Sequence, residues 1–351
     1  MRQNVNAGAD SAGVATPPNG RGRWPGLHDD PFQPRAPWLN GDLQTIRNFL
    51  VVEGLGRGLT PPPSRRMELP LNDGTGDTLL ADLSESTGGR GLVVLVHGLS
   101  GCAASAYMKS SAAAFDAAGY STLRLNLRGA GPSAGLCGDC YHSGRTEDLA
   151  NGLRALDARG EGIFRRGLYF IGFSLGGNML LKFLAEYRDA FPITAAATVC
   201  APIDLAAASR WFDRRRNRIY QRRLLDWMRR DTVRLPLTAG MHDAVLAART
   251  VYEFDEVFTA PRFGFEDAAD YYDNCSARRF LDRIETPSLL VEAKDDPWVP
   301  SASYDAVDWH ALPHLHRLSA EGGGHVGFHG QRSKIPWHDR KIIEFFKWVN
   351  G

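Results

Sequence analysis

The chain has 351 residues, 43% of them hydrophobic, enough for one large α/β domain carrying an insertion. Its 41 Lys and Arg balance 40 Asp and Glu for a formal net charge of +1, which gives no electrostatic case for nucleic acid as a partner. The five cysteines are too few for a disulfide framework in a chain this long. No apolar run approaches the roughly 20 residues that span a bilayer, so a cytoplasmic, reducing setting is expected.

The opening MRQNVNAGADSAGVATPPNGRG lacks the apolar core of a signal peptide and reads as a disordered tail. Residues 1–60 as a whole are expected to form a flexible leader, partly disordered, that ends at the proline-rich PPPSRR of 61–66. MELPL and TLLADL then read as a short antiparallel pair across NDGTGD. LVVLVHGLSG at 92–101 is a buried strand running into a glycine loop, and ASAYMKSSAAAFDAAG a helix ending at Gly119. YSTLRLNLRG gives the next strand. The pair Cys137 and Cys140, in CGDC, falls in a loop without a second ligand pair, which predicts ordinary thiols and no metal.

GRTEDLANGLRALDARG, 144–160, predicts a helix with Glu147 and Asp148 in its first turn, where negative charge suits the dipole. LYFIGFSLGGNMLLKFLAEY, 168–187, reads as strand, sharp turn, helix, and ITAAATVCAPIDL as another apolar strand. Strands alternating with helices of this length imply a mostly parallel sheet. The rhythm breaks over 206–286, which shows helical patches and no obvious strand, and resumes at SLLVEA, 288–293. A strand near 314–318 and the helix DRKIIEFFKWV, 339–349, follow. The expected organisation is a core of 61–205 and 287–351, with 206–286 inserted as a helical lid.

Gly172-Phe173-Ser174-Leu175-Gly176 sits between an apolar strand and a helix, the context a nucleophile elbow requires. Ser174 is the candidate nucleophile. A serine needs a base and the base an orienting acid, which arrive in this sheet type in the order Ser, Asp, His. His325, on the glycine turn GGGHVGFHG between the last strand and the last helix, is the candidate base, with His329 a nearby competitor. Its glycines are expected to let the loop approach the serine closely. After SLLVEA, Lys294-Asp295-Asp296-Pro297 offers two acids; Asp296 is preferred, and Asp295 is the alternative, suited to hydrogen-bonding the loop backbone. Acyl transfer also needs donors for the developing oxyanion. The backbone N–H groups of Leu175 and of Leu99, in the loop after LVVLV, are the candidates, with the His97 side chain bracing that loop.

The stretch Arg210–Arg230 holds nine arginines interleaved with apolar residues, of which Tyr220, Leu224, Trp227 and Met228 follow helical spacing. A solvated arginine face on a lid helix is the plain reading. Peripheral contact with an anionic lipid surface is a second. The segment 254–275 is rich in aspartate and tyrosine but lacks calcium-loop spacing and is read as structural.

These residues closely resemble the α/β-hydrolase superfamily and, more narrowly, its YheT-like branch, which includes the plant EMB8-like proteins. The resemblance rests on LNLRGAGPSAG at 125–135, YHSGRTEDL at 141–149, GFSLGGNMLLKFL at 172–184, FDEVFTAPRFGFEDAADYY at 254–272, LLVEAKDDPWVP at 289–300 and GGHVGF at 323–328. It runs from about residue 66 to the end. It implies a serine hydrolase acting on carboxylic esters, some lipid-like, with no cofactor, and its motif serine, aspartate and histidine fall on Ser174, Asp296 and His325. The departure at Leu-Asn-Leu-Arg-Gly-Ala, where relatives often have a phenylalanine and a cysteine, is expected to reshape the pocket without removing the chemistry. The alternatives are an acyltransferase using the same triad, or a silent binding protein on the same fold.

Overall fold

The computed structural model describes residues 22–351; the expected tail over 1–22, all but its last residue, lies outside the described residues. Eight strands form one sheet: β1 (Arg65–Pro70), β2 (Thr78–Ser84), β3 (Leu92–Val96), β4 (Ser121–Leu125), β5 (Leu168–Phe173), β6 (Ile193–Val199), β7 (Ser288–Ala293) and β8 (Leu315–Ala320). Their spatial order is β1-β2-β4-β3-β5-β6-β7-β8. The β1–β2 and β2–β4 pairs are antiparallel and all others parallel. Every residue of β3 and β5 is buried, which is why LVVLV and LYFIGF are continuous apolar runs rather than alternating ones.

The helices, in chain order, are α1 (Gly41–Arg47), α2 (Ala106–Ala117), α3 (Glu147–Asp157), α4 (Leu175–Glu186), α5 (Leu205–Phe212), α6 (Arg218–Thr232), α7 (Ala239–Ala247), α8 (Val251–Phe254), α9 (Ala260–Phe263), α10 (Ala268–Cys275), α11 (Ala302–Asp305) and α12 (Trp337–Asn350). Leu149, Leu153 and Leu156 of α3 and Met179, Leu180 and Phe183 of α4 cover one face of the sheet. Met108 and Phe115 of α2 and Ile342, Phe345 and Phe346 of α12 cover the other. The chain is an α/β-hydrolase fold: a mixed, mostly parallel sheet between two helical layers, with helical insertions.

Two of the quoted motifs meet in one buried ion cluster. Arg128 of LNLRG is fully buried, and its guanidinium donates to Asp148 Oδ1 at 2.7 Å, to Asp77 Oδ2 at 2.5 Å and to Asp73. Asp148, expected only to suit the helix dipole, is the first-turn residue of α3 that anchors this arginine.

Helices α5 to α10 lie between β6 and β7, which are direct neighbours in the sheet (Ala196 opposite Ser288 through Val199 opposite Val291). They are therefore an excursion within a single crossover. In α6 the residues Leu224, Leu225 and Met228 are buried, Tyr220 and Trp227 half-buried, and Arg222, Arg223 and Arg230 exposed. The apolar stripe packs against Phe212, Val245, Phe254 and Phe258.

Residues 22–60 depart from the expected flexible leader. Trp24 is 3% exposed, edge-on to Phe345 at 5.6 Å. Phe32 meets Phe328 and Trp337. Asn40 caps α1 by accepting from the Leu43 N–H at 2.9 Å. Phe49 stacks on Trp227 of α6 at 5.4 Å, and Asp42 accepts from Tyr220 and pairs with Arg216. This arm joins the insertion to the loop that carries His325. Its anchors are single side chains more than 170 residues distant in sequence, which is why local periodicity did not show it.

Candidate active site

The elbow is set by backbone sterics. Ser174 has φ 51° and ψ −122°, a conformation rarely tolerated by a residue with a Cβ, held here by its N–H donating to Val199 and by α4 starting at the next residue. The turn presses against β3. A Cβ on Gly176 would stand 2.3 Å from the His97 carbonyl oxygen, so no larger residue fits.

Around that turn the structure brings three predicted residues together. Ser174 Oγ lies 2.8 Å from His325 Nε2, and His325 Nδ1 lies 2.9 Å from Asp296 Oδ2. Asp296 is 3% exposed and His325 7%. The second oxygen of Asp296 accepts from the backbone N–H groups of Trp298 at 2.7 Å and Val299 at 3.1 Å, which fixes the carboxylate as an acceptor toward Nδ1. Asp295 turns away. Its Oδ1 accepts from the Gly324 N–H at 2.8 Å, so it holds the loop backbone, and burial raises its carboxyl above the ordinary range. His329 is not at the serine; its ring faces Asn48 and Arg47.

The glycines around His325 have a different task from the one expected. A Cβ on Gly324 (φ 59°) would stand 2.2 Å from the Gly41 carbonyl oxygen. The close approach is to α1 of the arm, not to the serine. Thr45 of α1 is the contact that matters there: its Oγ1 accepts from the His325 N–H at 2.8 Å and donates to the Gly41 carbonyl at 2.7 Å. Thr45→Val keeps the shape and leaves a buried N–H unpaired. It is expected to lower unfolding stability by about 1–3 kcal/mol, measured by urea titration; a loss under about 0.5 kcal/mol contradicts the arm's role as a support for the loop.

The pairing of Val96 with Gly172 sets the loop after β3 directly beside Ser174. His97 braces it. Burial pushes the ring down to about 4, so it is neutral; Nδ1 donates to Gly98 O at 2.8 Å and Nε2 accepts from the Leu127 N–H at 3.1 Å. Among the described residues, the backbone N–H groups of Leu99 in this loop and of Leu175 at the start of α4 have no protein acceptor. Trp298, which the sequence reading passed over, stacks on the His325 ring at 4.5 Å. The spacing Asp-Pro-Trp-Val-Pro was its only signal.

Cys200, Asp296 and His325 offer ligand atoms within 4.8 Å of one another. Both ring nitrogens of His325 are already engaged, and burial raises the Cys200 thiol well above its ordinary value. This donor set suits a neutral thiol beside a hydrogen-bonded dyad rather than an ion. Of the CGDC pair, burial pushes Cys140 up to about 12, and Cys137 Sγ lies 3.4 Å from the Thr78 carbonyl oxygen.

Ser174 and His325 open into a cavity of about 550 Å³. Phe212, Leu224, Met228, Phe254 and Phe258 of the insertion form one apolar wall with Leu99 and Trp298. Phe49 of the arm also lines it.

The model of the α/β-hydrolase fold family matches residues 91–330 of this chain, which include Ser174, Asp296 and His325. The chain belongs to the α/β-hydrolase family. Among its members, the putative esterase YheT of Escherichia coli is 34% identical over 81% of this chain and 84% of that protein. The embryogenesis-associated protein EMB8 of Picea glauca is 27% identical over 73% of this chain, and the monoacylglycerol lipase of Saccharomyces cerevisiae 28% identical over 73%. The chain spans 58% and 59% of the lengths of those two relatives. Of solved α/β-hydrolase structures, the Pyrococcus furiosus esterase Pf2001 superposes with a TM-score of 0.58 at 17% identity, over 84% of this chain and 99% of that one, a likeness of fold. Among the described residues no helix of this α/β-hydrolase is long and apolar enough to cross a membrane.

Proposed function

We propose that this protein is a serine esterase that cleaves carboxylic esters through an acyl-enzyme on Ser174, and that it belongs to the YheT-like branch of its family. The observation that carries the reading is the unbroken chain from Ser174 Oγ through His325 to Asp296, opening into an apolar cavity. In the proposed reaction His325 Nε2 takes the Ser174 proton as Oγ attacks the ester carbonyl. The developing oxyanion is received by the Leu175 and Leu99 N–H groups. His325 returns the proton to the leaving alcohol, and then activates the water that releases the acid. Asp296 holds the ring with its proton on Nδ1 and stabilises the imidazolium. Residues 206–286 act as the lid, supplying the apolar wall against which the alkyl part of the ester packs.

Short- to medium-chain and lipid-like esters fit this wall. Each methylene removed from water is worth ~0.8 kcal/mol, so lengthening the acyl chain is expected to raise kcat/KM by up to roughly fourfold per carbon until the wall is covered. A series of p-nitrophenyl esters from acetate upward, kept below micellar concentration, checks this. A flat or falling series in an active enzyme contradicts the apolar acyl site.

A further inference from the structure

The stretch FDEVFTAPRFGFEDAADYY has its two ends in contact inside the cavity. Helix α8 passes into a π-helical turn over Asp255–Thr259 before α9. That turn directs Asp255 at α10, where its Oδ2 accepts from the Tyr272 hydroxyl at 2.7 Å, while Oδ1 accepts from the Thr259 hydroxyl at 2.7 Å. The Tyr272 oxygen also lies 3.3 Å from Ser209 Oγ on α5. A phenol has one proton, and here it goes to the carboxylate, so Ser209 is the donor in that contact and its own oxygen keeps acceptor capacity. Asp255, Thr259, Tyr272 and Ser209 all line the cavity.

Asp255 is 7% exposed, and among the described residues no Arg, Lys or His forms an ion pair with it. Burial pushes its carboxyl up to about 6, and both its oxygens accept from hydroxyls, the hydrogen-bond pattern of a carboxylate. A buried carboxylate with no cation and with half its lone-pair directions unused is costly. A neutral acceptor would serve as well if its only task were to hold Tyr272. The position of the cluster completes the argument. Tyr272 packs in the same apolar group as Leu175, the residue after Ser174, whereas Leu99 belongs to the wall of Phe212, Leu224, Met228, Phe254 and Phe258. The cavity into which the serine opens thus has one apolar wall and one carrying a carboxylate among hydroxyls.

We propose that the Asp255–Thr259–Tyr272–Ser209 wall is a subsite for a free hydroxyl group on the ester, and that the preferred substrates are hydroxylated esters. This rests on the esterase reading and names the substrate class within it. A hydroxyl matches the wall because its proton can go to an unused lone pair of Asp255 or to the acceptor oxygen of Ser209. A quaternary ammonium has no proton to donate to either.

The test compares kcat/KM of the purified full chain, by pH-stat, on matched pairs. Glycerol 1-hexanoate against propyl hexanoate places the hydroxyl in the alcohol; methyl 6-hydroxyhexanoate against methyl hexanoate places it in the acid. Choline hexanoate is the cationic comparison. One hydroxylated ester should be preferred over its plain partner by roughly tenfold to hundredfold, the range a hydrogen bond to a charged acceptor supplies. The pair that shows it identifies which half carries the hydroxyl. In Asp255→Asn the ratio should fall below about threefold. Because it is a ratio within one preparation, loss of folded protein cancels. If that variant does not fold, Ser209→Ala should lower the same ratio several-fold. Ratios within about threefold in both wild-type pairs, with the plain esters hydrolysed, overturn the subsite and leave the esterase reading intact. So does a choline ester preferred over both hydroxylated esters, or a preference that persists in Asp255→Asn. Turnover of none of the five esters overturns both readings.

Discussion

Ser174→Ala is expected to abolish turnover, lowering kcat on the order of 10⁶-fold, about 8 kcal/mol of transition-state stabilisation. The magnitude follows from what the substitution removes. Ser174 Oγ is the atom held against His325 Nε2 at 2.8 Å, and the described chain offers no other hydroxyl there. The elbow itself should persist, because its geometry comes from the Val199 contact of the backbone and the tight fit at Gly176 rather than from the hydroxyl. The variant should therefore unfold at close to the wild-type temperature. The checking measurement is single-turnover and steady-state hydrolysis of p-nitrophenyl hexanoate beside a thermal melt. A loss of less than about a hundredfold in a folded variant contradicts the assigned nucleophile.

The second large effect separates two adjacent aspartates. Asp296→Asn preserves size but presents an amide to His325 Nδ1. If its NH₂ faces the ring, Nδ1 must accept, the proton moves to Nε2, and the imidazole no longer takes the serine proton. The expected loss is on the order of 10⁴ in kcat. Asp295→Asn keeps an oxygen that accepts from the Gly324 N–H, so its expected loss is under about tenfold, with the weakened charge-assisted bond showing mainly in stability. Kinetics of the two folded variants side by side decide the matter, and the reverse ranking contradicts the register given to the loop after β7.

Much of this site was legible because each residue sits where the β/α rhythm changes. LYFIGF ends in a glycine elbow, SLLVEA ends in an acidic turn, and GGGHVG follows the last strand; each places one side chain at the C-terminal end of a parallel strand. The order of those strands in space was not written in any local pattern, yet the pairing of β3 with β5 is what places Leu99 beside Ser174. The preference for Asp296 over Asp295 rested on its place before Pro-Trp-Val-Pro. The structure supplies the physical difference, since one carboxylate faces a ring and the other a backbone N–H.

What escaped the sequence is mostly long-range. Thr45 reaches His325 across 280 residues of chain, and nothing in WLNGDLQTIRNFL distinguishes a docked helix from an exposed one. The aspartates and tyrosines of 254–275 read as structural, and Asp267 caps α10 by accepting from the Asp270 N–H. Asp255 differs because a π-helical turn redirects it toward the cavity, and a one-residue change in helical register leaves no trace in periodicity.

The central claim is that Ser174 is an activated nucleophile, and covalent labelling tests it before any natural substrate is known. The full chain, wild type beside Ser174→Ala, is incubated with a fluorophosphonate and read by intact mass and then by peptide mapping. One adduct on the peptide carrying Ser174 in the wild type, with none in the variant, is the predicted result. An unlabelled wild type, or an adduct that survives in Ser174→Ala or maps to Cys137 or Cys140, would contradict it.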